Sequence, residues 1–252
     1  LAIASAASQC VCAVLIVVSL LRSKENIALR PHELKVSPDK ARFVLRLGIP
    51  AGCQNAIFAI ANLFIQSGVN SFDAVTVEGN SAAANSDALV YDVMNAFYMA
   101  CSSFISQNMG AKKKKRMLQS YFISLAYSFG AGAVLGLSLV VFGRQFLSLF
   151  TKDAAVMEAG MARLRVMGFS YMVSAFMDNT IAASRGLGKA LVPTIIVILG
   201  SCVFRVVWVY TIFAYFHTID SLYLLYVFSW TITAVAEILY FAKSYRKLAA
   251  TL

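Results

Sequence analysis

GNSAAANSDALVYDVMNAFYMACSSFISQNMGAKKKKR, Gly79 to Arg116, decides the fold of this 252-residue chain. The thirty-odd residues before Lys112, at about 1.5 Å each in a helix, exceed a hydrocarbon core of roughly 30 Å. Five consecutive cations, Lys112 to Arg116, then end the segment. Lys and Arg collect in the cytoplasmic loops of membrane proteins, so this end is expected inside. The span nevertheless carries Asn80, Asn85, Asp87, Asp92, Asn95, Gln107 and Asn108. Polar groups at membrane depth persist where they face protein or a water-filled cavity, so a helix this polar predicts a pathway.

Composition agrees with a membrane chain. With 60% hydrophobic and 13% charged residues and a mean hydropathy of +0.72, the sequence lies outside the soluble range, where about 25% of residues are charged. The net charge of +10 raises the question of nucleic acid. Of the 22 cations, seven lie in Arg22–Arg46, five in Lys112–Arg116, two in Arg185–Lys189 and three in Lys243–Lys247. These places all read as cytoplasmic loops or tail, which accounts for the excess and argues against a nucleic-acid partner. The five cysteines fall in apolar segments without C-x-x-C spacing and are expected to be buried hydrophobes. Two distant histidines, His32 and His217, give a metal site no support.

Hydropathy predicts an all-α, polytopic membrane protein with about seven transmembrane helices: Leu1–Leu21, Phe43–Asn70, the opening stretch, Met117–Phe142, Met157–Ala183, Leu191–Phe216 and Leu222–Phe241. Residues 22–42, with Pro31, Pro38 and mixed charge, read as a cytoplasmic linker; residues 248–252 read as a cytoplasmic tail. The first span has no basic leader or cleavage pattern and is expected to be a membrane helix rather than a signal peptide. Because the chain starts Leu-Ala-Ile, it is expected to be a piece of a longer protein. Turns near Asp73/Glu78, Asp153/Glu158 and Asp220 are acidic or mixed and are expected outside. Gly132 and Gly136 form a GxxxG pair, a mark of close helix packing. Arg185-Gly-Leu-Gly-Lys189 is expected to be a tight basic turn rather than a phosphate loop.

Charged groups in these spans cost about 2.5 to 3.5 kcal/mol on insertion scales, so each needs a reason. Asn55, Asn62 and Gln66, seven and four apart, share one face within about 40°; helix–helix hydrogen bonding and a pathway explain them equally. Asp87, Tyr91 and Asn95 follow at four-residue intervals as a slowly turning stripe. Asp87 is a pathway candidate, unless it lies near the outer surface as a solvated carboxylate. Asp92 points about 140° away from Asp87, so the two are not a catalytic pair. Tyr171, Ser174 and Asp178 share a face of the fifth span. Asp178 is the deepest acid by count and the best candidate for binding a proton or cation; the competing expectation is an ion pair with Arg205 of the sixth span. Glu237 receives no role. No nucleophile–base pair is visible, so an enzyme is not expected.

Several stretches resemble the multidrug and toxic compound extrusion (MATE) family of cation-coupled antiporters. They are Leu47-Gly-Ile-Pro-Ala-Gly-Cys-Gln-Asn55, Val69-Asn-Ser71, Gly79-Asn-Ser-Ala-Ala-Ala-Asn85, Met94-Asn-Ala-Phe97, Ser106-Gln-Asn-Met-Gly-Ala111, Phe146-Leu-Ser-Leu-Phe-Thr151 and Arg185-Gly-Leu-Gly188 with Pro193. The resemblance implies two six-helix lobes. Residues 1–21 would be the last helix of the N-terminal lobe, 22–42 the inter-lobe linker and 43–247 the C-terminal lobe, with the N-terminal six-helix lobe as the missing partner.

The resemblance also implies a secondary active efflux antiporter in the plasma (inner) membrane with its C-terminus in the cytoplasm. It would exchange H+ or Na+ for a small, amphipathic or cationic organic substrate, with no cofactor beyond the coupling ion. One branch of the family uses an acid on the first C-lobe helix and a Tyr/Asp pair on the fourth. Here the second span holds Gln54, Asn55, Asn62 and Gln66 but no acid, while Tyr171 and Asp178 lie in the corresponding fifth span. That departure favours proton coupling over a Na+ site built from this lobe alone. A lipid-linked oligosaccharide flippase and, from another class, a seven-helix receptor are the alternatives.

Overall fold

Apolar runs interrupted by short charged turns leave the chain little choice but helix, because a backbone in hydrocarbon must satisfy its own hydrogen bonds. The computed structural model describes residues 2–23, 30, 35 and 37–251, and every described regular element is a helix. Most of the predicted linker, with His32, lies outside the described residues.

Two units form. The first, Leu1–Val44, holds α1 (Ala2–Arg22), an apolar helix whose residues 6–19 are exposed, and the opening turns of α2 (Pro38–Val69). Pro38 starts α2 where the missing N–H would have no helical partner anyway. The helix therefore begins five residues before the predicted span, and Pro50 sits inside it.

The second unit, Leu45–Leu252, holds the rest of α2 and α3 (Ala74–Gly110), α4 (Lys114–Val141), α5 (Gly143–Leu147) and α6 (Ala154–Gly186). The predicted sixth span runs Leu191–Phe216 as α7 (Leu191–Val197), α8 (Phe204–Trp208) and α9 (Ala214–Phe216), joined by π-helical turns at Ile198–Val203 and Val209–Phe213. The last helix is α10 (Ile219–Thr251). Among the described residues, five long helices are apolar enough to cross a membrane: α2, α3, α4, Leu191–Phe216 and Ile219–Leu248. A shorter apolar stretch, Ala6–Arg22, lies in α1. The fifth predicted span is also a long helix, α6 with 33 residues, but it is too polar to join that set.

Two of the acidic turns supply helix caps. Asp73 accepts from the Thr76 amide (2.9 Å) at the start of α3, and Asp153 accepts from Ala155 (2.7 Å) and Val156 (3.4 Å) at the start of α6. The Thr76 hydrogen bonds hold the Asp73 carboxyl below its ordinary range. This cap is thus complete above the ordinary carboxylate range and is lost as pH falls through the lowered value. At the opposite helix ends the lysine run is split: α3 stops at Gly110, and Lys114 to Arg116 open α4. The predicted tight turn after α6 forms with Gly188 at φ +72°, a conformation that favours glycine. Tyr245 donates to the Lys114 carbonyl (3.0 Å), tying the basic end of α10 to the basic start of α4.

The second unit sets buried polar groups within a hydrophobic core and is apolar without. α6 packs against α3, α4 and α10, and it buries Arg163, Ser170, Tyr171, Ser174, Asn179, Thr180 and Ser184. Leu63, Leu89, Met99, Phe122, Val134, Val207 and Leu239 are exposed, as a surface facing lipid requires. Small residues allow the polar helix its close neighbours. A Cβ on Gly136 would overlap the Gly168 carbonyl oxygen, and one on Gly79 would lie 2.7 Å from the Val156 carbonyl oxygen. The GxxxG pair is thus a contact between α4 and α6. Of the cysteines expected to be buried, Cys101 and Cys202 are, while Cys10, Cys12 and Cys53 are exposed on apolar faces. An apolar face suits a cysteine whether it meets lipid or protein, so composition could not separate the two.

Candidate functional site

Three arginines, Arg163 and Arg205 buried and Arg185 half-buried, organise the interior of the second unit. Arg163 of α6 reaches α3, where Nη1 donates to Asn80 Oδ1 (2.7 Å) and Nη2 pairs with Asp87 Oδ2. Tyr171, two turns further along α6, donates its hydroxyl to the other Asp87 oxygen. Tyr223 of α10 donates to Asn80 Oδ1 (3.2 Å) and, with Tyr226, lies beneath the guanidinium at 5.8 and 5.7 Å. The Arg163 side chain is 6% exposed and that of Asp87 25%. Asp87 is therefore a half-buried ion-pair partner and not a freely solvated carboxylate.

Arg205 of α8 occupies an aromatic cage. Its guanidinium lies 5.3 Å from Phe58, 4.8 Å from Tyr226 and 5.7 Å from Trp230. It donates to Ser229 (3.3 Å) and Asn62 (3.3 Å), and its Nη2 is buried without a partner. Cation–π attraction gains strength when the cation is desolvated, which is how a buried guanidinium is held here without a carboxylate. Tyr226 touches both Arg163 and Arg205, so one ring joins two charged groups from different helices. The ion pair expected between Arg205 and Asp178 is not formed: the aromatic cage and two neutral acceptors take the guanidinium instead.

The third arginine, Arg185 at the end of α6, donates Nη2 to Gln54 Oε1 (3.0 Å), which also accepts from Thr194 (3.3 Å). It interacts electrostatically with both Asp178 and Glu237. Glu237 of α10 is fully buried, and neither carboxylate oxygen has a hydrogen-bond partner. Asp178 Oδ2 and the hydroxyls of Ser184 and Tyr98 are also buried and unpartnered. A buried polar group without a hydrogen bond costs roughly 1–3 kcal/mol, more when charged.

Tyr91 stands between the networks. Its ring meets Tyr171 and Trp230 edge-on, each at 6.4 Å, and it interacts electrostatically with Asp87, Asp178 and Arg205. Asn95 continues the Asp87–Tyr91 stripe but is exposed, because each four-residue step drifts about 40° around the helix. Asp92 is exposed on another face. Ser174 turns back to the Tyr171 carbonyl (3.0 Å). On α2, Asn62 meets Arg205, Gln66 bonds Asn70 one turn on (2.8 Å), and Asn55 is exposed. The structure thus brings Asp87, Tyr91 and Tyr171 together, puts Asn62 on Arg205, and leaves Asn55, Gln66, Asp92 and Asn95 on the outer surface of the unit. From the sequence alone Arg163, Tyr223 and Glu237 carry no role, Asn80 and Gln54 stand only as polar residues of their spans, and Arg185 only as part of a basic turn. A charge inside a predicted span was the available signal for Arg163 and Glu237.

The sequence and the fold both match known proteins. The MatE family model matches residues 50–211. The Bacillus subtilis "Probable multidrug resistance protein YoeA" is 24% identical over 163 residues, 65% of this chain and 35% of that protein. The Bacillus thuringiensis "Probable multidrug resistance protein NorM" is 27% identical over 162 residues, 62% of this chain and 35% of that protein. A solved outward-facing conformation of a multidrug resistance MATE family transporter of the MOP superfamily superposes with a TM-score of 0.85 at 19% identity. That superposition covers 96% of this chain but 55% of the solved one, so the chain spans little more than half the length of the structure it matches.

Proposed function

We infer that this chain, which belongs to the MatE family, is the C-terminal lobe, with one preceding helix, of a secondary active efflux transporter in the inner membrane. The match of the family model carries this reading. Residues 43–247 form the lobe, and a second lobe of similar size completes the transport cavity against α2, α3 and α6. The basic turns face the cytoplasm, following the positive-inside rule. The substrate is a small amphipathic or cationic organic compound, moved outward as H+ or Na+ moves inward. Neither the ion nor the substrate drives transport unless it favours one conformation over the other.

Proton coupling is the reading we favour, with Asp178 as the carrier. Its buried, unpartnered oxygen lies near two cations that do not hydrogen-bond it. Tyr91 stands between that acid and the network of Arg163, Asp87 and Tyr171.

The test is efflux by the full-length transporter in everted vesicles under an imposed pH or Na+ gradient. Wild type is expected to expel substrate when the pH gradient is applied, and Asp178→Asn to lose at least tenfold of the gradient-driven rate while still binding substrate. Full coupling in Asp178→Asn would return the residue to a structural role and move the coupling site to the other lobe. If neither gradient drives efflux, the antiporter reading gives way to lipid-linked oligosaccharide flipping.

A further inference from the structure

One groove on the outer surface of the second unit belongs to none of the three buried networks. It runs between α3 and α4 with a volume of about 370 Å³, within the roughly 300–1,000 Å³ of small-molecule sites. Its chemistry changes along its length. Asn108, Arg116 and Gln119 line one end, and Phe97, Phe104, Ile123 and Tyr127 line the other. Phe97 and Tyr127 stack at 5.8 Å to close the deep end. From Arg116 to Tyr127 is about 16 Å along α4, the thickness of half a hydrocarbon core of roughly 30 Å. The polar end also adjoins Lys112 to Lys115, and among the described residues no carboxylate pairs with any of these five cations.

A groove one leaflet deep, apolar at the bilayer centre and cationic at the interface, is complementary to an anionic lipid. A cationic substrate would be repelled at the same entrance. Basic pockets between transmembrane helices on the cytoplasmic side bind acidic headgroups. We propose that the α3–α4 groove holds an anionic phospholipid, with one acyl chain along Phe104, Ile123 and Tyr127 and the headgroup at Arg116 and the adjoining lysines. The site requires that the chain span a membrane and is independent of the coupling ion and the exported compound.

Photo-labelling of the purified full-length transporter tests this, using phosphatidylglycerol with a diazirine midway along one chain. Labels are expected on the peptides spanning 97–104 and 123–127, with unlabelled dioleoylphosphatidylglycerol competing at least tenfold better than dioleoylphosphatidylcholine. Arg116→Gln, a change at an exposed position, should lower labelling about fivefold, the effect of one cation near an acidic headgroup. Ala100→Trp, which fills the groove, should abolish it with all five cations in place. Equal competition by the zwitterionic lipid would overturn the proposal. So would equal competition by inorganic phosphate, labelling confined to the other lobe, or labelling unchanged in both variants.

Discussion

Arg163→Met is expected to destabilise the full-length protein by about 3 kcal/mol, read as a fall of several degrees in the unfolding midpoint in detergent. The substitution keeps much of the side-chain volume and removes the charge. Asp87 then loses its cation and retains the Tyr171 hydroxyl, while Asn80 retains Tyr223. Breaking a buried ion pair from one side costs about 3–5 kcal/mol, because the remaining charge keeps its desolvation penalty. The lower end applies here, since Asp87 is a quarter exposed. Removing both charges behaves differently, as apolar or neutral replacement of a whole buried pair is often close to neutral. Asp87→Asn combined with Arg163→Met should therefore recover much of the loss. Additive penalties in the double variant would show that the two side chains do not act as a pair.

Gly136→Ala is expected to cost at least as much. The added methyl has no rotamer to choose and would meet the Gly168 carbonyl oxygen, a backbone atom. Inserting even one methylene into a packed interior typically costs about 1–3 kcal/mol when side chains can adjust. Here a pair of helices must separate, which opens the neighbouring contact of Gly132 with Met94 and Tyr171. Gly130→Ala is the matched control, with nothing within 4 Å of the added Cβ. It should be neutral or stabilising by up to about 1 kcal/mol, since alanine is the better helix former. Comparable expression and unfolding midpoints for the two variants would refute the close approach of α4 and α6.

The helices were legible because hydrophobicity along a chain is a local property. Spans, basic turns and the Gly132–Gly136 pair needed no knowledge of partners. Helix starts were less legible: α2 begins at Pro38 and α3 at Ala74, since Pro38 and Asp73 signal an N-terminus that hydropathy averaging smooths away. The side-chain networks are non-local. Arg163 meets Asp87 across 76 residues, and Arg185 meets Gln54 across 131. Face counting placed Tyr171 beside Asp178 on one helix, but it could not say which neighbour each would meet, and Tyr171 took Asp87. Face counting would not hold through Leu191–Phe216 either, where two π-helical turns depart from 3.6 residues per turn.

The polarity of α6 has a consequence for how the protein is made. Arg163, Arg165, Asp178 and Arg185 lie within one helix, and each charge near the middle of a span adds about 2.5–3.5 kcal/mol on translocon scales. Released alone from the translocon, α6 is a poor candidate to enter lipid. Asp87 and Asn80, which accept from Arg163, and Gln54, which accepts from Arg185, all belong to helices synthesised earlier. The growing chain thus meets its most reluctant segment after laying down the groups that receive it, and vectorial synthesis becomes part of the folding code.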